Sequence, residues 1–237
     1  MSAMSTSEPI KVVLFDLDGT LLDTETLSSK ATEMVLERFG VTSGVEWDLK
    51  KRILGLRGEE WGKIVVEEKG LAGKLEPSAL VREWEHNLGE LCCSVEQMAG
   101  AGRLVKALHD RGVIMAIVTS SSAEAVAKKR LRHAELFNSM SLIVCGDDAE
   151  VGEAGKPAPD IYLLAASRLG VSPAHCVVVE DALTGVLSGT AAGARVIACP
   201  DPRIVADAEA LAMFTVHGPT LVGSLEEVAD AVPQWRV

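Results

Sequence analysis

Short apolar runs rich in Val and Ile recur along this chain, and none of them alternates with polar residues. They occupy residues 11–15, 114–118, 142–145, 176–179 and 195–198, and a sixth is expected at 213–216. A strand with one solvated face alternates, whereas a run that is apolar throughout is buried on both faces. Helical spacing of apolar residues separates the runs, at 102–109, 123–132, 159–169 and 183–192. Strand and helix therefore alternate from about residue 112 onward, which predicts an α/β fold whose parallel sheet is joined by right-handed crossover helices.

The stretch 25–97 reads differently. Its patterns are helical, at 28–39, 59–68 and 77–91, with glycine breakers at Gly40, Gly44, Gly70 and Gly73. It also holds Trp47, Trp61 and Trp84, three of the four tryptophans. We expect an all-helical insert at 25–97 between the first and second strands, and a core made of 10–24 and 98–237. Residues 1–9 are polar and Ser-rich, lack the long apolar stretch of a signal peptide, and read as an unstructured lead-in.

Charge narrows the partners. The chain carries a net charge of −11 at pH 7. Such a surface repels nucleic acid and anionic membranes, and no apolar run reaches the length of a membrane span. Any phosphate site must be locally positive. The five cysteines are odd in number and fit neither a zinc site nor a disulfide framework, so they read as buried thiols in a reducing, cytoplasmic setting. A monomer or weak dimer is expected.

Chemistry gathers where the apolar runs end. The first leads into Phe15-Asp16-Leu17-Asp18-Gly19-Thr20. Residues at i and i+2 of an extended chain point the same way, so Asp16 and Asp18 leave the carboxyl end of the strand toward one site. Paired carboxylates call for a cation, and they permit one to act as nucleophile and the other as proton carrier. An Asp pair that merely caps a turn is the competing explanation for this segment alone. The second run ends in Val118-Thr119-Ser120-Ser121, whose hydroxyls and N–H groups can hold phosphoryl oxygens or cap a helix. After the third comes Gly155-Lys156-Pro157-Ala158-Pro159-Asp160, in which two prolines hold Lys156 in one place. The fourth ends in Val179-Glu180-Asp181, two acids suited to a magnesium ion, with Asp181 as direct ligand and Glu180 holding a coordinated water. Gly185 follows and would let the next helix pack closely.

Each segment alone has a structural explanation. Their order at four successive strand ends supplies nucleophile, acid/base, oxygen cradle, fixed cation and metal ligands for phosphoryl transfer.

These four segments resemble, in order, the motifs of the haloacid dehalogenase-like hydrolases, from about residue 12 to 225. The resemblance implies a Rossmann-like core with an inserted all-helical cap of the β-phosphoglucomutase-like group. It implies Asp16 as nucleophile, Asp18 as general acid/base, Thr119 as the phosphoryl-binding residue and Lys156 as the stabilising cation, and Ser120 beside Thr119 is expected to contact substrate as well. It also implies Mg2+ held by Asp16, the main-chain carbonyl of Asp18 and Asp181, with Glu180 beside it. The segments at 132–137, 146–151 and 155–157 are similar to the branch that holds pseudouridine-5'-phosphatases, glycerol-3-phosphatases and FMN phosphatases.

Two departures stand out. Ala99-Gly100 replaces the family's Pro-Gly pair. In the insert, Arg57 stands one position before the place of the arginine with which β-phosphoglucomutases grip a second phosphate, and Gly58 fills that place. Arg57 therefore reads as a substrate contact or a solvated residue, and the reading favours hydrolysis. The expected function is magnesium-dependent hydrolysis of a small phosphomonoester, a sugar, nucleoside or glycerol phosphate, through an aspartyl-phosphate. The alternatives are a phosphosugar mutase and a non-catalytic phospho-accepting module.

Overall fold

The structure is a computed structural model that describes residues 10–53, 56, 58–152 and 154–232. The expectations for residues 1–9 and for Arg57 lie outside the described residues. Strands β1 (Val12–Phe15), β2 (Ile114–Val118), β3 (Leu142–Val144), β4 (Cys176–Glu180), β5 (Arg195–Ala198) and β6 (Thr220–Leu221) form one sheet in the order β3-β2-β1-β4-β5-β6. All neighbours are parallel. β1 lies at the centre, with Val12 in register with Ile114 of β2 and Cys176 of β4.

Every residue of β1 and β4 is buried, and so are four of the five in β2. This is why those runs carry no polar alternation: helices cover both faces of a parallel sheet. β4 runs one residue beyond its apolar stretch and takes in Glu180, which is 1 % exposed.

The chain divides into two compact units. Asp23–Glu96 forms one, and the residues up to Leu22 join those from Gln97 to form the other. The first contains α1 (Thr24–Glu37), α2 (Trp47–Ile53), α3 (Gly58–Glu68) and α4 (Pro77–Leu91). Its own core includes Val35, Leu36, Leu49, Val65, Val66 and Leu80. Trp61 and Trp84 meet edge to face with centroids 5.3 Å apart, and the Trp84 indole N–H donates to the Ser28 carbonyl at 3.2 Å. Trp61 thus packs against this core and Trp84 against Trp61, while the Trp84 polar atom finds a partner.

The second unit carries α5 (Ala101–Asp110), α6 (Ala123–Arg130), α7 (Ala134–Asn138), α8 (Asp160–Arg168), α9 (Leu183–Ala191), α10 (Pro202–Val205) and α11 (Ala208–Thr215). One expectation fails here. Residues 213–216, read as a strand, belong to the end of α11 and its cap, and the edge strand is Thr220–Leu221. Two local facts decide it. The Asp207 side chain accepts from the N–H groups of Glu209 and Ala210, which starts a helix upstream. The run is also amphipathic: Phe214 is buried while Met213 and Val216 are exposed.

The cysteines are free, as their spacing implies; Cys92 and Cys176 are buried as expected, whereas Cys145 and Cys199 are half-buried and Cys93 is exposed. Among the described residues no helix is long and apolar enough to cross a membrane.

Candidate active site

The chain turns sharply where β1 ends. Gly19 adopts φ +86°, and a Cβ there would come within 2.3 Å of the Asp181 carboxylate. Glycine thus allows both the left-handed turn and the approach of the β4 end. Thr20 completes that contact, its hydroxyl donating to Asp181 Oδ1 at 2.7 Å.

Asp16 is 7 % exposed. Lys156 reaches it from the loop before α8, its Nζ donating to Asp16 Oδ1 at 2.6 Å, to Glu180 Oε1 at 2.8 Å and to the Val118 carbonyl at 3.0 Å. The ammonium also lies 4.9 Å from the centre of the Tyr162 ring. Burial raises the Asp16 carboxyl to about 7, against the pull of Lys156 and helped by Glu180 and Asp18. Lys156 goes well above its ordinary value: burial opposes the charge, but Asp16 and Glu180 outweigh it.

Glu180 is saturated. Tyr162 Oη donates to its Oε1 at 2.9 Å, beside Lys156, and the N–H groups of Asp181 and Ala182 donate to its Oε2, each at 3.1 Å. The next helix presses on it as well, since a Cβ at Gly185 would lie 1.6 Å from Oε1. A carboxylate fixed by four donors has nowhere to move. Gly185→Ala is therefore expected to destabilise the protein by about 3 kcal/mol, the upper end for overpacking. Urea unfolding measures this, and an unchanged midpoint would contradict the packing described.

Asp18, beside Asp16, takes a different set of partners. Its Oδ2 accepts from Thr119 Oγ1 at 3.1 Å and Ser121 Oγ at 2.7 Å, and its Oδ1 from Lys129 Nζ at 2.5 Å. Burial alone would raise this carboxyl, but Lys129 and the two hydroxyls hold it below the ordinary value. Thr119 Oγ1 also accepts from the Ser121 N–H at 3.0 Å, and Lys129 Nζ donates to Ser121 Oγ at 2.8 Å. Of the two serines it is Ser121 that reaches the site. Ser120 is exposed, and its carbonyl lies where a Cβ on Gly146 would come within 2.3 Å.

Oxygens of Asp16, Glu180 and Asp181 lie within 4.8 Å of one another, a grouping able to hold a cation. The set is all carboxylate, which suits a hard ion such as Mg2+. Glu180, with all its donors, fits the part of a neighbour better than that of a direct ligand. The Asp18 side chain is engaged by Thr119, Ser121 and Lys129 and lies outside this grouping.

Six sequence candidates thus meet at the carboxyl ends of β1, β2 and β4: Asp16, Asp18, Thr119, Lys156, Glu180 and Asp181. Asp147 and Asp148 hold the loop beside them. Asp147 Oδ1 accepts from the Ala123 N–H at 2.9 Å, and Asp148 pairs with Arg168 at 2.5 Å. Sequence reading missed Thr20, Tyr162 and Lys129. For Lys129 the signal was faint: with Val126 it forms the buried i, i+3 pair of α6, although Lys128 and Arg130 beside it make the segment look solvated.

The chain is similar to known proteins over most of its length. A family model described as haloacid dehalogenase-like hydrolase matches residues 10–193. A Drosophila melanogaster protein named "Probable pseudouridine-5'-phosphatase" is 40% identical over 193 residues, covering 81% of this chain and 82% of its own. The Arabidopsis thaliana (DL)-glycerol-3-phosphatase 2 is 40% identical over 195 residues, covering 81% and 80%. Among solved structures, a HAD family hydrolase from Deinococcus radiodurans R1 with bound phosphate and sodium superposes with a TM-score of 0.75 at 29% identity, covering 96% of each chain.

Proposed function

The chain belongs to the haloacid dehalogenase-like hydrolases, and on that premise we propose that it is a magnesium-dependent phosphatase of small phosphomonoesters working through a phosphoryl-aspartate on Asp16. The observation that carries this reading is the Asp16 carboxylate, buried at the end of the central strand and clamped by the Lys156 ammonium. Relatives named for pseudouridine 5'-phosphate and glycerol 3-phosphate support a sugar, nucleoside or glycerol phosphate as substrate. The helical unit is proposed as the cap that selects among them.

The reaction has two steps. An Asp16 oxygen attacks phosphorus in line, the bond from phosphorus to the ester oxygen breaks, and Asp18, ionised in the resting site, takes up a proton as the phosphomonoester binds and passes it to the departing alcohol. Asp18 then takes a proton from water as that water attacks the phosphoryl-aspartate, and phosphate leaves. Lys156 and Thr119 face the charge that gathers on the transferring group. Magnesium, held by Asp16, Asp181 and the Asp18 carbonyl, would neutralise the anionic oxygens brought together there.

Phosphate release from a panel of small phosphomonoesters, with and without Mg2+, tests the proposal. Release from at least one ester, lost on chelation and regained with Mg2+, is the expected result. No release from any ester, but isomerisation of a sugar phosphate in the presence of its bisphosphate, would replace the phosphatase by a mutase.

A further inference from the structure

We propose that Lys129 is a positioning residue for Asp18, a dedicated cationic tether that aims the acid/base carboxyl at the leaving oxygen. The proposal rests on the phosphatase reading and extends it to a residue outside the four motif segments.

Lys129 is 3 % exposed although it stands between Lys128 and Arg130, in a last turn that is otherwise basic and solvated. A lysine is almost never buried this completely without a partner, because its ammonium loses its hydration. Here the lost water is replaced by Asp18 Oδ1 and Ser121 Oγ. No other ammonium among the described residues contacts Asp18; Lys156 serves Asp16 and Glu180. The two cations of the site thus divide the work: Lys156 holds the attacking carboxylate, and Lys129 holds the proton carrier.

The three donors to Asp18 all come from one segment, Thr119, Ser121 and Lys129. Thr119 and Ser121 sit on the loop after β2, where the phosphoryl oxygens are expected, so they tie Asp18 to the cradle. Lys129 approaches from α6 and engages the other carboxylate oxygen. With both oxygens held, the plane of the carboxyl is set, and a carboxyl so fixed transfers a proton along one direction only. When the proton leaves for the ester oxygen, the carboxylate that remains already faces an ammonium.

Leaving groups provide the test. Phenoxide is a basic leaving group, comparable to a tyrosinate, and needs the proton; p-nitrophenoxide is stable without it. The ratio kcat/KM covers only the steps up to departure of the leaving group, so a defect in proton donation falls on phenyl phosphate. The experiment measures kcat/KM for phenyl phosphate and p-nitrophenyl phosphate with wild type, Lys129→Met, Lys129→Gln and Asp18→Asn. For Lys129→Met we expect a loss of about 100-fold with phenyl phosphate and about tenfold or less with p-nitrophenyl phosphate. Asp18→Asn should show the same selectivity, more strongly. Lys129→Gln keeps a donor without the charge and should show a smaller loss of the same kind; it carries the test if circular dichroism shows that Lys129→Met does not fold.

Equal losses with both esters would mean that Lys129 serves the phosphoryl cradle, and no loss would mean that it serves packing; either overturns the proposal. If Asp18→Asn is selective and the Lys129 variants are not, only the tether is wrong. If Asp18→Asn loses nothing with phenyl phosphate, the acid/base assignment falls, and the tether with it.

Discussion

Replacing Asp16 by asparagine should abolish turnover, with kcat falling on the order of 10⁴-fold or more, while the protein stays folded. The side chain keeps its shape but loses the nucleophilic oxygen, and no neighbour can substitute. Glu180 is saturated by four donors, and Asp18 is fixed toward the loop after β2. Stability should not suffer. In the metal-free protein Asp16 carries a carboxyl raised from 3.8 to about 7 by burial. The folded chain then binds this proton more tightly than the unfolded chain, so stability falls as pH rises from about 4 to 7, by up to about 4 kcal/mol. The asparagine variant lacks that slope. Thermal unfolding with chelator at pH 5 and pH 8 should therefore show a smaller pH effect in the variant than in wild type. Normal phosphate release by a clean preparation of the variant would refute the nucleophile assignment.

Lys156→Met should damage both activity and stability. The ammonium is the charge partner of two buried carboxylates, at 2.6 and 2.8 Å. Removing it leaves Asp16 and Glu180 repelling each other with little water to separate them, at a cost of about 3–5 kcal/mol. It also removes the cation that faces the transferring group, so kcat should fall by about 10²–10³. The two effects separate in a double variant. Adding Glu180→Gln removes one of the stranded charges and should return part of the lost stability, but none of the activity. Urea midpoints and phosphate release on the four proteins measure this. Additive stability effects would mean that Lys156 and Glu180 do not act as a pair.

The parts of this fold that could be read from the sequence are those where burial leaves no choice. β1 and β2 are apolar throughout, and β4 is so up to Glu180, because both faces are covered, and the polar residues at their ends recur in the order expected of one site. The edge could not be read this way. Thr220 and Leu221 are both exposed and too few to form a pattern, whereas Met213 and Val216 look like strand residues but lie on the outer face of α11. Within the site, residues adjacent in sequence declared themselves: Asp16 with Asp18, Glu180 with Asp181. Contacts assembled by the fold did not. Tyr162 is one apolar-looking residue among several on α8, and only its hydroxyl on Glu180 gives it a role. Lys129 was hidden by the charges on either side of it. The order of the strands in the sheet was also out of reach, since periodicity reports burial and not neighbours.

That order has a consequence during synthesis. β1 sits between β2 and β4, and its residues pair with Ile114–Ile117 on one side and Cys176–Val179 on the other. The strand that leads into Asp16 is thus the first of the six to leave the ribosome and among the last to be enclosed. At ordinary elongation rates about 10–30 s pass between Val12 and Cys176. Throughout that interval a fully apolar segment, Val-Val-Leu-Phe, has no second neighbour, while the helical insert can fold from contacts within itself. The newborn chain depends on whatever shields those four residues, and a chaperone that binds short apolar strands would find its target there.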